Sequence, residues 1–313
     1  MSKSFTLNWE DHLASSSRLC VFVGGGVSMG CRNDTGKSPG SWENLLNSAA
    51  IHYGCSQKIA SENLSLPEKA EIIERERKNQ NVSNFDFLKY IESAVDKIDG
   101  SYVNPSSVHP TIADINPDLI VTTNYDRILE RYLNEGSEPG YNVWTYPGRV
   151  EQTIAQSSCT TDSFLGDFLR SGESLLLKIH GGVPSPFTTN SPNESTAENF
   201  SDDDYQIILS ETSYYKAYNS NGEIPSLLRA IFSTCQVVFI GYSLRDNVLR
   251  DILQSAGSLK GNRFRHVILQ SPQSVVSEDY QSAFEEIYGV AVGTYSTHEK
   301  LAAGLHGLKL ARD

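Results

Sequence analysis

Leu119-Ile120-Val121-Thr122-Thr123-Asn124-Tyr125-Asp126 is an apolar run that ends abruptly in hydroxyls, an amide and a carboxylate. Short apolar runs of this kind read as strands buried on both faces. Three other stretches repeat the pattern. Upstream stands Val21-Phe22-Val23-Gly24-Gly25-Gly26-Val27-Ser28. Downstream stand Leu175-Leu176-Leu177-Lys178-Ile179-His180-Gly181 and Val237-Val238-Phe239-Ile240-Gly241-Tyr242-Ser243-Leu244. Each strand runs straight into Gly, Ser, Asn or His. In an open parallel sheet, ligands bind outside the carboxyl ends of the strands. The expected fold is therefore α/β, with the four polar strand ends collected into one site.

Helical patterns fill the intervals. Residues 5–18 read as a short helix ahead of the first strand, which runs from Arg18 to Val23, and Gly24-Gly25-Gly26 reads as a turn. A polar loop from Cys31 to Ser41 follows, and Ser41 is placed to cap a helix beginning Trp42-Glu43-Asn44-Leu45-Leu46. Pro67-Glu68-Lys69-Ala70 opens another helix, with proline and acid in the first turn. Phe85-Asp86-Phe87-Leu88-Lys89-Tyr90-Ile91-Glu92 has apolar residues at helical spacing and is expected to end near Gly100. Residues 42–100 thus read as all-helical. The predicted division is an inserted helical subdomain at 41–100 and a sheet domain at 1–40 and 101–313. His109-Pro110 starts a further short helix, and His109 is read as structural. Beyond it come a helix from Arg127 to Leu133, a strand at Tyr141 to Tyr146 and a polar loop from Ser185 to Asp204. Helices at Thr212 to Asn219, Ile224 to Phe232 and Asp246 to Leu253 follow, with strands at His266 to Leu269 and Val290 to Val292. No internal repeat is visible.

The 313 residues have room for about two domains or one large α/β domain with an insertion. With 26 basic against 38 acidic side chains the formal charge is −12. That argues against a general nucleic-acid or membrane-surface binder, because phosphate contacts need a basic face. A local basic patch is compatible with that balance, for example around Lys260, Arg263 and Arg265. No apolar run approaches the roughly 18 residues of a membrane helix, and Met1-Ser2-Lys3-Ser4-Phe5 lacks a signal-peptide core. A cytoplasmic location is expected. The five cysteines, Cys20, Cys31, Cys55, Cys159 and Cys235, include no C-x-x-C pair. This is the usage of small buried side chains, with neither a disulfide framework nor a zinc site expected.

The strand ends carry specific chemistry. Gly24, Gly25 and Gly26 let backbone N–H groups approach a phosphate. The turn is not a full G-x-G-x-x-G, since the third glycine falls at Gly30 and not at Met29. Asn124 offers both a donor and an acceptor to sugar hydroxyls, and Asp126 accepts from an amide N–H. The same two residues also suit a helix cap. His180 has an ordinary proton affinity, near pH 6.5, that suits a general base at neutral pH.

Together the four strand ends resemble the Sir2 (sirtuin-like) NAD-consuming family, over roughly residues 18–300. Gly24-Gly25-Gly26-Val27-Ser28 is similar to that family's Gly-Ala-Gly-x-Ser turn, which holds the NAD diphosphate. Thr122-Thr123-Asn124-Tyr125-Asp126 is similar to Thr-Gln-Asn-Ile-Asp, in a variant common among bacterial Sir2-like proteins. His180-Gly181 matches the catalytic His-Gly. Gly241-Tyr242-Ser243-Leu244 is similar to Gly-Thr-Ser-Leu, with Tyr242 departing from threonine. The resemblance implies a Rossmann-like sheet with an inserted helical domain and NAD as substrate. It implies catalytic roles for His180, Asn124 and Asp126, and NAD contacts from Gly24, Gly25, Gly26, Ser28, Thr123, Gly241 and Ser243. Sirtuin deacylases carry two C-x-x-C pairs, but this chain has only Cys159 in the corresponding interval. No metal is therefore expected. The zinc-less branch is associated with NAD hydrolysis in bacterial anti-phage defence, controlled by homo-oligomerisation or a defence-system partner protein. Protein deacylation and ADP-ribosyl transfer are the enzymatic alternatives. A non-catalytic subunit that senses NAD or ADP-ribose is the alternative of another class.

Overall fold

Arg18–Val23 forms strand β1 because its residues alternate between two hydrophobic faces. Cys20 and Phe22 enter one core and Leu19, Val21 and Val23 the other. The computed structural model describes residues 7, 9, 18–60, 63–134, 141–146, 149–150, 174–183, 206–219, 222–244, 246–258, 266–271 and 278–312. The remaining sheet strands are β4 (Leu119–Thr122), β5 (Asn142–Thr145), β6 (Arg149–Val150), β7 (Leu175–Lys178), β8 (Cys235–Ile240), β9 (His266–Gln270) and β10 (Val290–Thr294). Their order is β10-β9-β8-β1-β4-β7-β5-β6. All run parallel except β6, which pairs antiparallel with β5.

Helices cover both faces, as a parallel sheet requires. Helices Glu223–Thr234 (α9) and Asn247–Ser258 (α10) place Ile231, Phe232, Leu249 and Leu253 against Phe22 and Phe239. On the other face Val108–Ile115 (α6), Ile128–Asn134 (α7) and His298–Arg312 (α12) place Ile112, Leu129 and Leu305 against Val21 and Val238. The sheet is a doubly wound, Rossmann-like α/β architecture, as expected. α12 and Glu278–Tyr288 (α11) were not anticipated.

Between β1 and β4 lie Gly25–Ser28 (α1), Trp42–His52 (α2), Ser56–Ile59 (α3), Leu66–Asn79 (α4) and Asn84–Val95 (α5). Ser41 caps α2 by accepting from Asn44 N at 3.2 Å. Ser65 and Glu68 form a capping box on α4. α2, α3, α4 and α5 share a core that also takes in Val183, Ile207 and Leu209. The turn expected at Gly24-Gly25-Gly26 is present and takes the form of a single helical turn that begins at Gly25. One expectation needs correction. The helical block does not run to Gly100, because α5 stops at Val95 and a ribbon of Lys97–Ile98 (β2) and Ser101–Tyr102 (β3) follows. Asp99 and Gly100 both have positive φ, the backbone of a two-residue hairpin turn.

The helix expected at 5–18 is described only at Leu7 and Trp9. The loop from 185 to 204, Cys159 and the basic cluster at 260–265 lie outside the described residues. Among the described residues no helix is long and apolar enough to cross a membrane.

Candidate active site

β1 is the pivot of the chain path. β4 lies on one side of it and β8, reached later, on the other. The crevice beside such a reversal is where open α/β sheets take ligands. Here the loops after β1 and β8 clasp each other. Gly24 N–H donates to Ile240 O and Gly26 N–H to Gly241 O, both at 2.9 Å. A Cβ on Gly24 would lie 2.5 Å from Gly241 O, and one on Gly26 would lie 2.9 Å from Gly241 Cα. Gly241 has φ +63° and would bring a Cβ within 2.5 Å of Val27 N. Gly25 differs. The nearest atom to its Cβ position is Asn124 Oδ1 at 4.0 Å. The three glycines therefore do not act alike. Gly24 and Gly26 have their N–H groups engaged by the last residue of β8 and the first residue after it, and Gly25 is the one that faces open space.

The Asn-Tyr-Asp turn is tied to the same loop. Thr122 Oγ1 donates to Val23 O at 3.0 Å and accepts from Asn124 N at 3.0 Å. Asn124 Nδ2 donates to Gly24 O at 3.3 Å and to Ser28 Oγ at 3.1 Å. Ser28 Oγ in turn donates to Asp126 Oδ2 at 2.7 Å. Ser28 thus bridges the amide and the carboxylate. Asp126 Oδ1 also accepts from Ile128 N at 3.1 Å, so the residue caps α7 as well. Burial pushes its carboxyl up to about 6, against the nearby Lys178, which draws it down.

His180 follows β7 and is buried. Its backbone is fixed by Ile208 N–H on its carbonyl at 3.0 Å. The next residue, Gly181, has φ +80° and would drive a Cβ to 2.6 Å from Gln206 O. The imidazole Nε2 meets Tyr218 Oη at 2.7 Å, and the ring packs edge-on to Tyr214 with centroids 5.2 Å apart. The ordinary proton affinity expected for this histidine is overturned, because burial pushes it down to about 3. The imidazole is neutral throughout the physiological range.

A cavity of about 790 Å³ collects these groups. Asn124, Asp126, His180, Ser28 and Thr123 line it, with Gly25, Gly241 and Ser243. Gly24 and Gly26 do not reach it. Tyr242, from the strand-end motif after β8, also faces the cavity. Residues that the strand ends could not reveal complete the wall: Tyr214 faces the cavity, and Trp42 stacks on it with centroids 6.2 Å apart. The available signal was the spacing of Tyr214 and Tyr218 on helix Glu211–Tyr218 (α8), which puts both rings on one face. Trp42, Leu66 and Pro67 come from α2 and α4, which therefore supply part of the cavity wall.

The family model for the SIR2-like domain matches residues 118–292, more than half of the chain. The chain belongs to the SIR2-like family. SIR2-like domains are in general NAD-dependent enzymes, with NAD as substrate. The match takes in the Asn-Tyr-Asp turn, His180 and the loop after β8. Gly24 to Ser28 lie before it, and their place in the site rests on the geometry above. No curated protein matches the chain. Cys20, Cys31, Cys55 and Cys235 are buried and take part in no disulfide, and no group of potential metal ligands occurs among the described residues.

Proposed function

We propose that the protein hydrolyses the nicotinamide N-glycosidic bond of NAD, giving nicotinamide and ADP-ribose. One observation carries the reading: an amide, a carboxylate and a neutral imidazole, brought from two strand ends, converge on one cavity. The volume suits a nucleotide-sized ligand. Tyr214, Tyr242 and Trp42 offer aromatic walls for its rings, and Gly25 leaves backbone open for close approach. Asp126 accepts from the N–H of the leaving carboxamide. Asn124 orients the ribose hydroxyls or the attacking water. His180, neutral but weakly basic, takes a proton only as water adds to the oxocarbenium-like ribose, when the attacking water has become strongly acidic. A cationic imidazole there would repel the positively charged nicotinamide ring, so its low proton affinity fits the substrate.

The biological setting proposed is anti-phage defence by NAD depletion, supported by the resemblance of the Asn-Tyr-Asp turn. Unchecked NAD cleavage would starve the cell that makes the enzyme. Control by oligomerisation or by a partner protein is part of the proposal.

The test is product analysis of purified protein with NAD, alone and with the product of a neighbouring gene. Equal release of nicotinamide and ADP-ribose is expected. His180→Ala should lower the rate by about 10²–10⁴ and leave calorimetric NAD binding in place. NAD bound tightly but intact would mark a sensing subunit, and release dependent on an acyl-lysine peptide would mark a deacylase.

A further inference from the structure

Lys178 is the last residue of β7 and only 1 % exposed. A lysine is almost never so deeply buried without partners, since an isolated ammonium in a protein interior is strongly disfavoured. It has two. Its Nζ donates to the backbone carbonyl of Asp126 and, at 2.5 Å, to Oε1 of Glu130, which is itself 3 % exposed. Gly182 completes the slot. A Cβ there would lie 3.0 Å from Lys178 Nζ and 3.3 Å from Tyr125 O. The two glycines after His180 therefore have separate tasks. Gly181 supplies a left-handed backbone, and Gly182 leaves room for the ammonium.

We propose that Lys178 is a positioning residue of the site: paired with Glu130 behind the Asn-Tyr-Asp turn, its ammonium fixes the Asp126 backbone and keeps the Asp126 carboxylate charged at neutral pH. The catalytic consequence rests on the NAD-cleaving reading, because only an ionised Asp126 is purely an acceptor for the leaving carboxamide. The surroundings of Asp126 make a cation necessary. Burial opposes its charge, and Asp96 and Glu130 add negative potential from the end of α5 and from α7. Asp96 is largely matched by Arg131 Nη1, at 2.7 Å, and by Arg127 N–H at 3.0 Å. Ser28 donates from α1, Arg131 adds positive potential, Cys31 is a further titratable neighbour, the buried Arg127 is next in the chain, and the neutral His180 lines the same cavity. Lys178 is the leading favourable influence among them. A purely structural ion pair would behave otherwise: replaced whole by neutral groups, it would leave the titration of Asp126 alone.

The experiment follows the Asp126 carboxyl directly by carbon-13 NMR in the full chain, with Asp126→Asn assigning the resonance and no NAD present. Lys178→Met should raise the titration midpoint by about one pH unit or more. Glu130→Gln should lower it. Lys178→Met/Glu130→Gln should fall between wild type and the Lys178 variant. If Lys178→Met alone does not fold, the step from Glu130→Gln to the double variant isolates the lysine and must still be upward. Midpoints within a few tenths of a unit of wild type, or both single changes moving the same way, overturn the proposal. The acid limb of NAD cleavage should follow the same order. Shifted midpoints in a protein that leaves NAD intact would uphold Lys178 and sink the hydrolase. Unshifted midpoints in an active enzyme would do the reverse.

Discussion

Gly24, Gly25 and Gly26 are consecutive, yet a methyl group added to each meets a different fate. On Gly26 it would press against the Gly241 backbone at 2.9 Å, in a loop contact with no flexible side chain to give way. On Gly25 it would meet nothing closer than 4.0 Å and would project toward the cavity. Gly26→Ala should therefore lower the melting temperature by several degrees, a loss of about 1–3 kcal/mol for forced overpacking. Gly25→Ala should melt as wild type does and bind NAD more weakly. Thermal denaturation beside calorimetric NAD titration separates the two, and equal melting temperatures would contradict the assignment. At this scale Asn124, Asp126 and His180 could be read from the sequence because each stands at the abrupt end of an apolar run. Ser28 as the bridge between Asn124 and Asp126 could not, since its partners lie 96 and 98 residues away. The proton affinity of His180 was equally hidden. It depends on burial under α8, which no local pattern records.

Helix α8 shows what an element contributes. Its first turn is held by a capping box between Ser210 and Ser213, and it carries Tyr214 and Tyr218 against His180. Ser83 caps α5 in the same manner, accepting from Asp86 N at 3.0 Å, but takes no part in lining the cavity. Ser210→Ala and Ser83→Ala should each lower stability by about 1 kcal/mol. Only Ser210→Ala should also lower kcat for NAD cleavage, because it loosens the helix whose hydroxyl orients the imidazole. Chemical denaturation with steady-state kinetics on both variants tests this, and an equal effect on kcat would undo the link. Strong periodicity and cap residues made most elements legible. α12 escaped because its inward residues, Leu301, Leu305 and Leu308, are interspersed with small ones such as Gly304 and Gly307, while Leu310 points outward at 66 % exposure. Gly307 takes the edge of Trp9, 3.2 Å from its Cβ position, and Trp9 Nε1 donates to Gly304 O at 2.7 Å. Such a contact depends on a distant segment, so helical spacing alone does not announce it.

For the molecule as a whole, buried titratable groups set the response to acid. His109, 1 % exposed and packed beside Cys31, is pushed down to about 4 by burial, and His180 to about 3. In the unfolded chain both titrate near their ordinary value of about 6.5. Below that pH the unfolded state binds protons that the folded state refuses, so their contribution is present at neutral pH and lost as pH falls. Asp126 acts oppositely. Its raised affinity favours the folded state at low pH, and that contribution fades as pH rises through about 6. His109→Gln should remove one acid-sensitive group. The difference in unfolding free energy between pH 7 and pH 5 should shrink by on the order of 2 kcal/mol, measured by denaturant titration at both values. An unchanged difference would show that His109 does not drive acid unfolding. The α/β class was legible from four polar strand ends, but strand order was not, because parallel neighbours are chosen by contacts between remote segments. The extreme case is β1. Its Arg18 pairs with Cys235 in full register, and Gly24 donates to the last residue of β8 and Gly26 to the first residue beyond it. Folding must close a chain loop of more than two hundred residues before that clasp forms, which makes the centre of the sheet a late and slow assembly. A nascent chain still on the ribosome and not yet extended past residue 242 lacks one wall of the cavity, so the pocket cannot be complete before that segment has been made.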